Sequence, residues 1–147
     1  KSGTPGPASS TIKSTRPDAG ATRVTLNIEA VAATLRGERV LLREVLVNLL
    51  QNALDFSPAV GTVTLRCAVD AGRVSFTVED SGPGVPDFAL SRVFERFYSL
   101  PRPGSEKKST GLGLALVREI AHLHGGDATL ENRPEGGTRA MFWVPVE

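Results

Sequence analysis

"NLLQNALDFSP", residues 48–58, sets two asparagines four positions apart inside an otherwise apolar segment. Extended back to Glu38, the segment has helical periodicity, with Leu42, Val45, Leu46, Leu49 and Ala53 along one face. Pro58 marks its end, because a proline disfavours helix at the residue before it. Asn48 and Asn52 fall on the opposite side with Glu44 and Asp55. The predicted helix, from Glu38 to about Phe56, is therefore buried on one side and lined with amide and carboxylate groups on the other. Alone, that row reads as a solvated face. Asparagine is nevertheless a poor helix former, and two at this spacing point to a local task such as metal or phosphate contact.

Ahead of this helix, "TRVTLNI" alternates apolar and polar residues as a strand does, and residues 1–21 are rich in Gly, Pro, Ser and Thr. That composition does not offset the entropy of ordering it, so 1–21 is predicted as flexible linker or cloning residues, with one domain over 22–147. Starting at Lys1 rather than Met, the chain reads as a module of a longer protein.

After the helix, "TVTLRCAV" and "RVSFTVED" are alternating runs joined around "DAG", a hairpin signature. "DSGPGVPD" is a loop, "DFALSRVFERF" a short helix, and "YSLPRPGSEKKST" a basic, breaker-rich segment. "GLGLALVREIAHLHGG" returns to helical periodicity and ends in paired glycines. "DATLEN", the "PEGG" turn and "TRAMFWVPVE" complete the pattern with two strands. Without a repeating βαβ order, the economical architecture is one sheet covered on one face by helices, an α/β (α+β) two-layer sandwich.

Composition bounds the function. With 147 residues and 40% hydrophobic content there is room for a real core. Seventeen Lys and Arg against 16 Asp and Glu leave no general field toward nucleic acid or membrane. No apolar run reaches the roughly 20 residues of a transmembrane helix. The single cysteine, Cys67, has alternating apolar neighbours and reads as a buried strand position, which suits a reducing cytoplasm.

Three short motifs carry candidate chemistry. Asp80 offers a carboxylate at a strand end, and Gly82 and Gly84 let the backbone approach a planar ligand, although a plain surface turn has the same residues. Gly111 and Gly113 stand at the mouth of a helix whose free N–H groups suit phosphate, or simply mark a glycine-tolerant helix start. Neither a GxGxxG fingerprint nor a Walker A loop is present. His122 and His124, two apart, do not share a helix face and read as structural or capping residues. Met141, Phe142 and Trp143 read as core and edge packing.

Taken in order, "REVLVNLLQNALDFSP", "VEDSGPGVP", "VFERFYSL", "TGLGLALVREIAHLHGG" and "GGTRAMFWVP" resemble the ATP-binding catalytic domain of sensor histidine kinases, in the GHKL superfamily. The resemblance runs from about Thr22 to Glu147, and "NALDFSP", "ALSRVFERFYSLPRP" and "KKSTGLGLA" look most like the Cre-type sensor kinases. It implies a Bergerat fold, a mixed and mostly antiparallel sheet with helices on one face, holding ATP and Mg2+ under a mobile lid. Asn52 looks like the magnesium ligand and Asn48 its phosphate-side companion, the two catalytic positions. Asp80 looks like the adenine-reading carboxylate, with Gly82 and Gly84 beside the ring. Phe94 and Phe97 match the box that supports the lid, from Tyr98 to Thr110. Gly111, Leu112 and Gly113 match the glycine box at the triphosphate, and Lys107 and Lys108 precede it.

Hydrolytic relatives carry a glutamate at the position of Asn48, whose amide cannot act as a general base, so phosphotransfer is favoured over hydrolysis. Glu44, one turn away, is the residue that keeps hydrolysis open. Many histidine kinases have a lysine where Asp55 stands and an arginine where Ser99 stands, both thought to touch phosphate. Arg96, Arg102, Lys107 and Lys108 are the available replacements. Ala140 stands where an aromatic is usual. The resemblance further implies a separate dimerisation and phosphoacceptor domain, a response regulator as partner, no nucleic acid, and a membrane-anchored homodimeric parent whose catalytic domain is cytoplasmic. The alternative is a degenerate nucleotide-sensing or protein-interaction module without kinase activity, motivated by Asp55 and Ser99.

Overall fold

The computed structural model describes residues 8–15, 23–30, 37–56, 60–98 and 111–146. The elements are β1 (Ala8–Thr15), β2 (Arg23–Ala30), α1 (Arg39–Phe56), β3 (Val60–Asp70), β4 (Arg73–Asp80), α2 (Asp87–Leu90), α3 (Gly113–Leu123), β5 (Asp127–Asn132) and β6 (Thr138–Pro145). One six-stranded sheet runs in the order β1-β2-β3-β4-β6-β5. Among the described strands only β2 and β3 pair in parallel, because α1 crosses over between them; the other pairs are antiparallel.

Helices α1 and α3 cover one face. Val45, Leu49 and Ala53 recur every four residues on α1, and Val117, Ile120 and Ala121 form the inward stripe of α3. They close on Val63, Val74, Val78, Ala128, Ala140, Phe142 and Val144 of the sheet. Alternation is clean along β6, where Thr138, Ala140, Phe142 and Val144 are buried and the residues between them are not. Phe76 stacks on Phe142 with ring centroids 6.0 Å apart. Half-buried Cys67 packs at the margin of this core, and its burial pushes the thiol pKa up.

The other face of the sheet carries a row of alternating charge across five strands. Glu29 meets Arg66 at 3.2 Å, Arg66 meets Glu79, Arg139 meets Glu79 at 2.6 Å, and Arg139 meets Glu131 at 2.8 Å. Trp143 lies on this face beneath the Arg73 guanidinium, 4.0 Å from the ring centroid. Its neighbour Phe142 is the core residue of the pair.

Two expectations change. Linker was predicted throughout 1–21, whereas Ala8–Thr15 form β1, paired antiparallel with β2 from Ala8 opposite Ala30 to Thr15 opposite Arg23. Composition sees the Ser and Thr of this stretch but not the open edge of β2 that offers them a ladder. The helix predicted over "DFALSRVFERF" is only the four residues of α2. Beyond it the chain continues in turns, with Arg92 N–H bonded to the Ala89 carbonyl and Glu95 N–H to the Arg92 carbonyl, before Phe97 takes a φ of 68°. No helix among the described residues is long and apolar enough to cross a membrane.

Candidate nucleotide site

Asp80 ends β4 with its carboxylate buried, 3% exposed. The loop that follows turns back on it: Gly82 N–H donates to Oδ1 at 2.8 Å. From β6, Thr138 N–H donates to Oδ1 at 3.3 Å, and the Thr138 hydroxyl donates to Oδ2. Gly137, at φ 82°, makes this approach possible; a Cβ there would sit 1.9 Å from the Asp80 carbonyl oxygen. Arg133 secures the same carbonyl, donating from Nη1 at 2.9 Å. A carboxylate so held is orientated before any ligand arrives, and it retains acceptor capacity for an amino group.

Gly84 lies in the same loop, at φ 83°. Its neighbour Val85 is gripped by Asn132 at the end of β5: Val85 N–H donates to Oδ1 at 2.8 Å, and Nδ2 donates to the Val85 carbonyl at 2.7 Å. The side chain thus imitates a strand and fixes the loop that contains Gly82 and Gly84.

On the helical side, Asn48 and Asn52 are both half-buried on α1. Asn48 Nδ2 donates to the Glu44 carbonyl at 2.8 Å, which turns its Oδ1 toward α3; a Cβ on Gly113 would come within 2.9 Å of that oxygen. Asn48 and the helix start at Gly111–Gly113 are thereby brought together. Glu44 is exposed, and Asp55 accepts from Gln51 Nε2 at 2.8 Å along the helix. Leu112 precedes α3, 40% exposed, and its carbonyl accepts the Leu116 N–H at 2.9 Å.

Phe94 packs against the core and Phe97 is exposed. Arg96 is ion-paired with Glu119 of α3 at 2.6 Å. Ser99, Arg102, Lys107, Lys108 and Thr110 lie outside the described residues. His122 Nε2 stands 3.0 Å from Asp127 Oδ1. Burial raises the Asp127 carboxyl pKa, but the Ala128 N–H, His122 and Arg118 outweigh it and hold the group below the usual range. Neither histidine lies among the site residues.

Among the described residues no group of three or more His, Cys, Asp or Glu is arranged to hold a metal ion. Magnesium, however, takes oxygen ligands in which water and substrate phosphates predominate. The amide oxygen of Asn52 fits a cation that arrives with a triphosphate, not a cage made by the protein alone.

Residues 37–147 match the family described as histidine kinase-, DNA gyrase B-, and HSP90-like ATPase. The sensor protein CreC of Escherichia coli strain K12 is 49% identical over 120 residues, which is 82% of this chain and 25% of that protein. The chain thus spans about a quarter of this curated relative. The mycobacterial sensor histidine kinase MprB superposes with a TM-score of 0.74 at 27% identity, over 84% of each chain. Full-length ShkA, solved in complex with AMPPNP, gives a TM-score of 0.68 at 31% identity, over 84% of this chain and 25% of that one. The chain belongs to the histidine kinase-, DNA gyrase B- and HSP90-like ATPase family, as an ATPase domain of the sensor-histidine-kinase type.

Proposed function

We propose that residues 22–147 bind MgATP and transfer its γ-phosphoryl group to a histidine on a separate dimerisation and phosphoacceptor domain, from which a response regulator is charged. The observation that carries this reading is the buried Asp80 carboxylate, orientated by Gly82 N–H and by both donors of Thr138. Asp80 accepts from the exocyclic amine of adenine, and Gly82 and Gly84 allow the ring to lie close to the backbone. Gly111, Leu112 and Gly113 present the N-terminus of α3 to the phosphates, with Lys107, Lys108 and Thr110 preceding them. Asn52 supplies an oxygen to magnesium, and Asn48 faces the phosphate side. Bound magnesium neutralises charge on the β- and γ-phosphates.

Asn48 supports transfer over hydrolysis, since an amide engaged with the Glu44 carbonyl does not deprotonate water. His124 uses both ring nitrogens within the fold, which fits an acceptor histidine on another domain. The parent protein is, on this reading, a membrane-anchored homodimer. Calorimetric titration with a non-hydrolysable ATP analogue, with and without magnesium, tests the site. Magnesium-dependent binding that Asp80→Asn abolishes is the expected result; a folded protein that binds no nucleotide refutes it. Adding the phosphoacceptor domain in trans with radiolabelled ATP then tests transfer, which predicts label on its histidine.

A further inference from the structure

His124 ends α3 and stands beside the start of α1. Its Nδ1 is 2.8 Å from the Ile120 carbonyl oxygen, and its Nε2 is 3.1 Å from the Glu38 amide nitrogen. A carbonyl only accepts and a backbone N–H only donates, so these partners define the ring: Nδ1 carries the hydrogen and Nε2 accepts. Glu38 is the N-cap of α1, its carbonyl taking the Leu42 N–H at 2.9 Å. In a capping box the third helical residue returns an acceptor to the N-cap N–H. Here that residue is Leu41, which has none, and the imidazole supplies the acceptor from 86 positions away. Gly37 lets the chain pass against the ring, since a Cβ there would lie 2.9 Å from both Nε2 and Cδ2.

The two helices meet again where Asn48 faces Gly113. From Glu38 to Asn48 α1 rises about 15 Å, and from Gly113 to His124 α3 rises about 16 Å. Antiparallel helices tied at one end by Glu38–His124 therefore stand level at the other end, at Asn48–Gly113. We propose that His124 is a positioning residue: its neutral imidazole fixes the axial register of α1 on α3, and with it the placement of Asn48 and Asn52 relative to the glycine-rich helix start. The proposal rests on the reading of those residues as the phosphate side of a nucleotide site.

Two substitutions separate the ring's two bonds. His124→Gln keeps an acceptor within reach of Glu38, whereas His124→Asn keeps a donor for Ile120 and stops short of Glu38. Affinity for a non-hydrolysable ATP analogue with magnesium, amide exchange at Glu38 and the thermal midpoint are measured together. His124→Asn is expected to weaken binding about tenfold and to accelerate Glu38 exchange, with His124→Gln close to the parent. Unchanged affinity in folded His124→Asn overturns the proposal, as does equal weakening of both variants with exchange raised throughout the core. If the parent protein binds no nucleotide, the nucleotide reading fails on its own. The nuclear Overhauser contact between the Asn48 amide and Gly113 then decides the register: its loss in His124→Asn alone supports the proposal, and its persistence refutes it.

Discussion

The Phe97 N–H donates to the Gly111 carbonyl at 2.9 Å, tying together the two chain positions that flank residues 98–110. Gly111 has a φ of 75°, and a Cβ on it would fall 2.5 Å from the Phe97 carbonyl carbon. Gly72, at a φ of 74° with nothing within 4 Å of a Cβ, is a control that shares the backbone angle and lacks the contact. Gly72→Ala is expected to cost about 1–2 kcal/mol from left-handed strain alone. Gly111→Ala should cost measurably more in urea unfolding and should also weaken nucleotide binding, whereas Gly72→Ala leaves binding intact. Equal costs for the two variants would mean that the Phe97 contact yields freely.

Much of this architecture was legible because periodicity reports burial directly. Arg39–Phe56 and Gly113–Leu123 follow the apolar spacing, and the hairpin lies where "DAG" interrupts two alternating runs, its turn made by Ala71 and Gly72 at positive φ. The boxes of the resemblance then singled out Asp80 and the glycines as candidates. What the sequence hid are pairings between distant residues. Thr138 and Asp80 are 58 positions apart and Asn132 and Val85 are 47 apart, and no local pattern links them. Arg133 on the Asp80 carbonyl escaped for the same reason, as did β1, which is specified by a free edge rather than by its own composition.

Thr138 supplies the donors that hold both Asp80 oxygens. Thr138→Val keeps the shape and the backbone N–H but removes the hydroxyl, leaving Oδ2 buried without it. The expected loss is about 1–3 kcal/mol of stability, the cost of an unsatisfied buried acceptor. Nucleotide affinity should fall as well, because the carboxylate is no longer held. Chemical denaturation and calorimetry on the same variant check both halves.

Glu79, adjacent to Asp80 but on the opposite face of the sheet, contributes to acid stability. Burial raises its carboxyl pKa, yet the hydrogen bonds and charges of Arg139 and Arg66 outweigh that and leave it below the usual range. A lowered folded pKa means that the unfolded chain takes up the proton first. The stabilisation is therefore complete above the unfolded value of about 4.3 and is lost as pH falls through the folded one. Thermal midpoints measured from neutral pH downward should decline over that window, and Glu79→Gln should be less stable at neutral pH with a flatter acid limb. A Glu79→Gln curve parallel to the parent's would assign the acid transition to other carboxylates.

Asn132 tests whether the loop after β4 must be held for the site to work. Its amide accepts from the Val85 N–H and donates to the Val85 carbonyl, and its Oδ1 would lie 2.9 Å from a Cβ on Gly84. Asn132→Asp preserves size and the acceptor, but sets a carboxylate oxygen against the Val85 carbonyl where a donor stood. Because Asn132 is exposed, water offsets much of the loss, and the stability cost should be about 1 kcal/mol. The loop should respond more than the fold: Val85 amide exchange accelerates and nucleotide affinity falls several-fold, while exchange at Phe142 in the core is unchanged. Slow Val85 exchange in Asn132→Asp would mean that Gly82 and Asp80 hold the loop without help from β5.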